Sequence, residues 1–565
     1  MLGFVFCLLF NAFYLLFFPL FFFRRRSAAP KGGWIEVKVD GPVVELGRAA
    51  RFWEVGPRPL SLESLRRAIE LSASDPRVVG FLVRVEELRA GSATATALRE
   101  ALLSAKAVGK RVIVYLPFGG ATREFFVGSA AHVLLLGPES HLAPAGFAVQ
   151  TPYLKDALDR VGVGVEVFSR GRYKTAGEPL ILREMSTPQR EQLEAFLDDA
   201  WGVLVDALAT GRQVDRARAE SWIDVGLWSA QEAIENGLCD GVAYEEDLAK
   251  TVDPTREHGA ARVPLRRYIR RRSGGWRPFS RPHRIAVIGV TGPIVPRASG
   301  PLPMSSAEDI RETIRMALEL PRYRGAIVHI DSRGGSALAS DHILHGLRQL
   351  AERKPVVACF GDAAASGGYL VAMGAGTIVA QPNTLTGSIG VVAAHWTLGQ
   401  LLQRVGIRVE VLKRGPRADL LSPARPVESA ERALLDRQLD AFYQSFLRAV
   451  SEGRNMSLER VEGLAGGRIY SGRQALELGL VDRLGGFDTA LAEVRKVIGP
   501  RGAKLRPELL VASTRRRLPN PARWLAAWLE GRGLRVVGER WMMSAGVPHD
   551  RIWAFCDAAE HDLGT

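Results

Sequence analysis

Residues 325–380 read GAIVHIDSRGGSALASDHILHGLRQLAERKPVVACFGDAAASGGYLVAMGAGTIVA, and the periodicity of this stretch decides the fold. AIVHI (326–330) is a short β-branched apolar run, the pattern of a strand. From about Ser340 to Glu352, Ile343, Leu344, Leu347 and Leu350 recur on one helical face. PVVACF (355–360) predicts a second strand, ASGGYLVAMGAG (365–376) a turn into a helix, and TIVA (377–380) a third strand. Strands alternating with helices imply βαβ units and a mainly parallel sheet, hence an α/β fold.

The pattern occurs twice. GFLVRVEE (80–87) reads like GAIVHIDS (325–332), 245 residues later. DRVGVGVEVFSRGRYK (159–174) reads like QRVGIRVEVLKRGPRA (403–418) at an offset of 244, and WSAQEAIENGLCD (228–240) like YSGRQALELGLVD (470–482) at 242. Three matches in one order at nearly one offset mean two tandem copies of a domain, since the unit is far too long for a solenoid repeat. The expected copies span 34–251 and 285–500. A Pro/Gly/Arg-rich basic linker (252–284) joins them and a C-terminal extension (501–565) follows.

Composition narrows the function. With 565 residues, 47% hydrophobic and 24% charged, the chain has ordinary globular character and more than one core. The net charge of +14 is concentrated at Arg24–Arg26 and in PLRRYIRRRSGGWRPFSRPHR (264–284). Both clusters suit an anionic membrane surface, and no zinc finger or RNA-reading motif accompanies them, so no nucleic-acid partner is expected. The four cysteines have neither metal spacing nor a disulfide framework, and Cys239 and Cys359 sit in apolar runs as small core residues. No metal and no cofactor are expected.

Residues 1–23, MLGFVFCLLFNAFYLLFFPLFFF, carry no charged side chain. As a helix they would run roughly 34 Å, about one bilayer core. They predict an uncleaved single-pass anchor over 1–26 in contact with membrane lipid, because the basic n-region of a cleaved signal is missing. The arginines after the span would hold the body on the cytoplasmic side. In RRRLPNPARWLAAWLEGRG (515–533), Trp524, Leu525 and Trp528 recur at helical spacing, as in a packing helix or one that touches lipid.

The chemistry lies mainly in the second copy. Gly334 and Gly335 follow a strand directly and allow a turn that aims N–H groups at a ligand. Some thirty residues on, Ser366 stands between small residues at a strand-to-helix turn, where a hydroxyl is exposed. Amides from the Gly334/Gly335 turn and from Gly367 are candidate oxyanion donors. Three side chains are candidate bases: His395, His329 on its apolar strand, and Lys174 in SRGRYKTAGEP (169–179). A lysine serves only if burial lowers its pKa toward neutrality.

GRYKTAGEP around Lys174, DSRGGS (331–336), DAAASGGYLVA (362–372) and TLTGSIGV (384–391) together resemble the long, tandem form of signal peptide peptidase A, or protease IV, over nearly the whole chain. The resemblance implies a Clp-protease/crotonase-like fold in each copy. It also implies a serine peptidase with a Ser/Lys dyad split between copies. By motif, Ser366 matches the nucleophile, Lys174 the general base, Ser388 the serine that orients the base, and Gly335 and Gly367 the oxyanion donors. Peptide substrates, chiefly remnant signal peptides, a homotetramer and a periplasmic face of the bacterial inner membrane are likewise implied, the last against the Arg24–Arg26 charge. Arg333 departs from the family, which usually has proline there. The repeat agrees with a divided site: Ala418 stands 244 residues after Lys174, and Thr122 244 residues before Ser366. The rival expectations are a crotonase-like acyl-CoA enzyme and a non-catalytic membrane scaffold.

Overall fold

The computed structural model describes residues 11–12, 16–19, 28–47, 59–273, 282–298 and 304–512. No helix among these is long and apolar enough to cross a membrane. The anchor expected over 1–26 lies largely outside the described residues, and the Trp524–Trp528 segment wholly outside them. The chain divides into two compact units, residues 1–147 with 199–283 and residues 148–198 with 284–565.

In the first unit, β1 (Gly33–Val44), β2 (Val78–Arg89), β3 (Arg111–Leu116) and β4 (Val133–Leu136) form a parallel sheet in the order β4-β3-β2-β1. Gly241–Val242 pairs beside β4. The period of two along β3 sorts its side chains between two layers. Val112 and Val114 join the core beneath α1 (Leu62–Ala73) and α2 (Ser92–Ala107), while Ile113 and Tyr115 meet Trp34, Leu248 and Val252 on the other face. Both faces are therefore covered, which is why the strands read as continuous apolar runs.

The linker expected over 252–284 is in part a structural element of this unit. Arg262–Pro264 adds a parallel edge strand to β1, pairing Trp34 with Arg262. The helix Leu265–Arg272 then buries Leu265 and Tyr268. The Tyr268 hydroxyl donates to Asp75 Oδ2 at 3.2 Å. Leu265, Tyr268 and Ile269 are spaced i, i+3, i+4, so the arginines between them share the opposite face. A reading from arginine content misses that stripe.

In the second unit, β5 (Gly164–Arg170) comes from the first repeat, and β6 (Arg284–Thr291), β7 (Tyr323–Ser332), β8 (Val356–Ala365), β9 (Thr377–Ala380), β10 (Leu385–Gly387) and β11 (Val391–Thr397) from the second. The main sheet runs β10-β8-β7-β6, with β9 also on β8. Arg506–Leu509, assigned by sequence to the C-terminal extension, pairs parallel with β6 and so belongs to this sheet. The helices are α3 (Thr187–Arg212), of which residues up to 198 belong here, α4 (Ala307–Glu319), α5 (Ala337–Ala351), α6 (Gly367–Ala372) and α7 (Ser429–Arg454). α5 buries Ile343, Leu344, Leu347 and Leu350 as its spacing predicts, and starts three residues earlier because Ser336 caps it, accepting from the Ala339 amide at 3.2 Å.

The segment 148–198, expected within the first copy's domain, packs in the second unit. β5 forms an antiparallel ladder with β11, from Val391↔Arg170 to Thr397↔Gly164. Phe168 is buried against Leu435 and Leu439 of α7, and Glu166 pairs with Arg432 at 2.6 Å. Repeat matching identifies which residues are homologous, but not which sheet edge a strand joins.

If the helix Leu265–Arg272 is structural, Tyr268→Ala in the full chain destabilises the first unit by about 3–5 kcal/mol, the usual cost of truncating a buried aromatic. Calorimetry would show its transition shifted down, whereas a linker residue would leave it in place.

Candidate active site

Ser366 stands where β8 turns into α6. Its backbone has φ 53° and ψ −121°, outside the ordinary regions for an L-residue. The Ser366 amide donates to the Gly387 carbonyl at 2.9 Å, which fixes the turn against β10. The turn before α5 lies directly opposite. Gly334 has φ 101°, and a Cβ there would lie 2.7 Å from the Gly367 nitrogen. The Gly334 amide donates to Ser332 Oγ at 3.1 Å, so it serves the turn itself and leaves Gly335 as the candidate donor of the pair. A Cβ on Gly367 would meet Ser340 Oγ at 2.4 Å. The two turns are thus packed backbone to backbone, and side chains have no room between them. Arg333, in place of the family proline, is exposed.

Lys174 reaches this point from the loop after β5. Its Nζ lies 3.0 Å from Ser366 Oγ, 2.9 Å from Ser388 Oγ and 2.9 Å from the Ser388 carbonyl oxygen. The residue is 7% exposed, and burial lowers its pKa from 10.5 to about 7. Ser388 shares the left-handed backbone of Ser366, with φ 51°, and its amide donates to the Arg468 carbonyl at 2.7 Å. Of the three candidate bases, the lysine is the one brought to Ser366. His395 faces the Arg425 carbonyl through Nε2 at 3.2 Å, and His329 lies in β7 between Gly289 and Cys359.

The lysine loop is tied down on several sides. The Tyr173 amide donates to the Gly466 carbonyl at 2.7 Å, and the Tyr173 hydroxyl to Glu191 at 3.0 Å. Gln192, buried on α3, donates to the Tyr173 carbonyl at 3.2 Å and to Thr175 Oγ1 at 2.9 Å, while accepting from the Ile469 amide at 3.2 Å. Sequence reasoning missed Gln192, because a glutamine on a helix carries no motif. Beside the glycine turn, burial together with the neighbouring Asp362 raises the pKa of Asp331, whose carboxylate accepts from the Ala363 amide at 3.1 Å. Among the described residues no group of three or more His, Cys, Asp or Glu side chains converges as for a metal ion.

A hydroxyl on a strained strand-to-helix turn, an amine of lowered pKa in contact with it and adjoining glycine amides form a constellation suited to acyl transfer. The comparisons with known proteins agree that the chain is a serine peptidase. The profile of Peptidase family S49 matches residues 104–257 and again 348–499, and the chain belongs to this family, with two tandem S49 regions. It is 32% identical over 488 residues to the chloroplastic serine protease SPPA of Arabidopsis thaliana, covering 85% of this chain and 71% of that one. It is 25% identical to Protease 4 of Haemophilus influenzae, over 85% of this chain and 81% of that protein. A putative signal peptide peptidase SppA of Enterococcus faecium is 34% identical over 31% of this chain and 51% of its own length. Among solved structures, a ClpP1 variant from Listeria monocytogenes covers 36% of this chain and 93% of its own, at 14% identity and a TM-score of 0.25, too low to bear on the fold. Family membership takes the place of the acyl-CoA and scaffold expectations.

Gln192→Leu keeps the helix face but removes two contacts to the lysine loop and one to Ile469. A loss of one such contact costs about 1 kcal/mol. The variant is expected to stay folded by circular dichroism while its kcat drops tenfold or more with KM little changed, as for a residue that positions the lysine and does not touch substrate.

Proposed function

We propose that the protein hydrolyses peptides through a Ser/Lys dyad, with Ser366 as nucleophile and Lys174 as general base. The observation that carries this reading is the set of three contacts around one buried amine. A neutral amine has two N–H bonds and one lone pair. The Ser388 carbonyl only accepts, so it takes one N–H, and Ser388 Oγ takes the other. The lone pair is left toward the Ser366 hydroxyl. In this arrangement Ser388 orients the base.

In the first step Ser366 Oγ bonds to the scissile carbonyl carbon while its proton passes to the Lys174 lone pair. The Gly335 and Gly367 amides hold the oxyanion. The C–N bond then breaks, and the ammonium returns that proton to the leaving amine. Water attacks the acyl-enzyme in the second half, giving its proton to Lys174, which passes it to the departing Ser366 oxygen. No cofactor enters this scheme.

For substrate and setting, the family resemblance and the apolar residues 1–23 favour hydrophobic peptides at a membrane, chiefly signal peptides already cut from their proteins. The setting we propose is single-pass anchorage in a bacterial inner membrane with the catalytic units on the periplasmic face, as a homotetramer. A C-terminal alkaline phosphatase fusion would be active in that orientation and inactive with the body in the cytoplasm.

Ser366→Ala and Lys174→Ala are each expected to abolish cleavage of a signal-peptide substrate, and residual cleavage by Ser366→Ala would overturn the assignment. Because the base must be uncharged and burial holds Lys174 at about 7, kcat/KM is expected to rise tenfold per pH unit up to about pH 7 and then level off.

The same burial has a stability cost. Between the folded pKa of about 7 and the ordinary lysine value of 10.5, the unfolded chain binds the extra proton, so stability rises with pH across that window. Lys174→Met is therefore expected to melt higher than wild type at pH 7, with the gain shrinking toward pH 10.

A further inference from the structure

β7 and β8 run in step from Ala326↔Val356 to Ile330↔Phe360, and their next pair is Ser332↔Ala364. Asp331 therefore stands alone opposite Gly361, Asp362 and Ala363. At this bulge β8 changes the neighbour on its other side. It pairs with β9 through Val357–Cys359 and with β10 through Ala363–Ala365. Bulges beside active sites re-aim the residues that follow them. Here the redirected strand ends are Ala365, which leads into Ser366, and Gly387, which leads into Ser388.

The Asp331 side chain fills the inside of the bulge. Its carboxylate accepts from the Ala363 amide at 3.1 Å and also from the Asp362 amide. A Cβ on Gly361 would lie 2.9 Å from the Asp331 Cβ, so the strand bends round this side chain with no space to spare. From the other side the Thr384 hydroxyl donates to the Gly361 carbonyl at 2.9 Å, and the Thr386 hydroxyl to the Ala364 carbonyl at 2.7 Å. The Asp331 carbonyl accepts from the Gly292 amide at 2.9 Å, and the Gly334 carbonyl from the Ile294 amide at 3.0 Å. One carboxylate thus sits at the base of three strand ends. β7 carries the Gly334/Gly335 turn, β8 carries Ser366 and β10 carries Ser388.

The first repeat supplies the contrast. Glu86 stands 245 residues before Asp331, and it pairs with Lys38 at 3.1 Å instead. β3, the counterpart of β8, stops at Leu116. The residues matching the bulge are Pro117, Phe118 and Gly119, and the Gly119 amide turns back to the Leu116 carbonyl at 3.2 Å. The repeat without the serine turn therefore also lacks the carboxylate-filled bulge.

We propose that Asp331 is a positioning residue for the acyl transfer: by holding the β8 bulge it fixes Ser366 Oγ against the Gly335 and Gly367 amides. It acts through the Asp362 and Ala363 amides and reaches neither substrate nor Lys174. This inference rests on the Ser366/Lys174 reading.

The test is Asp331→Asn in the full chain, assayed on a signal-peptide substrate. The asparagine oxygen still accepts from one bulge amide, but its NH2 group faces the other, donor against donor. The variant is expected to keep its near-ultraviolet circular dichroism and a KM within about twofold, while kcat drops about a hundredfold, as for a displacement of ~1 Å at the reacting atoms. A peptide boronate, which bonds to the serine and occupies the oxyanion site, is expected to bind more weakly by the same factor. A peptide with a reduced scissile bond is expected to bind as it does to wild type. Thr384→Val loosens the bulge from its other side and is expected to lower kcat about tenfold at unchanged KM; if Asp331→Asn does not fold, this variant decides. Wild-type kcat in the deciding variant, or equal losses for boronate and reduced peptide, would overturn the proposal. Cleavage by Ser366→Ala overturns this proposal and the dyad together, whereas a dead Ser366→Ala beside a fully active Asp331→Asn overturns this proposal alone.

Discussion

An amine stays uncharged near neutral pH only where water is kept from it, and Lys174 is held in such a place. Burial alone accounts for the fall of its pKa to about 7. The surrounding architecture sustains that burial. The Ser388 carbonyl and hydroxyl give the amine hydrogen-bonding partners that carry no charge, so desolvation is not offset by a carboxylate that would hold the proton in place. A carboxylate at the same distance would raise the pKa and leave the lysine protonated. Two serines in left-handed backbone conformations, Ser366 and Ser388, meet at that one nitrogen. Strain of this kind persists only where neighbouring structure fixes it, and here the fixing bonds run from the Ser366 amide to Gly387 and from the Ser388 amide to Arg468.

The lysine segment is anchored from outside its own repeat. β5 lies on β11, with Phe168 in the small core formed with Leu435 and Leu439. Strand pairing sets the direction of the chain leaving β5, and the Gln192 and Tyr173 contacts set the last few residues before Lys174. The second repeat keeps the strained serine turn and the glycine pair. Thr122 occupies the corresponding place in the first repeat, where its hydroxyl donates to the Gly146 carbonyl at 3.3 Å.

Much of this was legible in the residues. The strands around 326–330, 356–360 and 377–380, the apolar face of α5 and the turn at Ser366 follow from local periodicity, and local periodicity is what a sequence displays directly. The site residues came from motifs, and the structure brings Lys174, Ser366 and Ser388 together. What stayed hidden depends on partners distant in sequence. Nothing in GVEVFSR says that it pairs with VVAAHWT rather than with its own repeat. The helix Leu265–Arg272 was obscured by its arginines, which outnumber the apolar residues that anchor it. Gln192 was invisible because its three partners are two backbone groups and one hydroxyl, none of which constrains residue choice in a readable way.

The order in which the parts leave the ribosome has a consequence of its own. Lys174 is made early, Ser366 follows 192 residues later, and the β11 strand that seats the lysine segment comes later still. At ordinary elongation rates that interval is about 10–40 s. During it the nascent chain carries an amine with no hydroxyl to activate and no dry pocket to discharge it. The proposed peptidase is therefore latent until both halves exist, and a chain truncated between the repeats holds the amine without the hydroxyl.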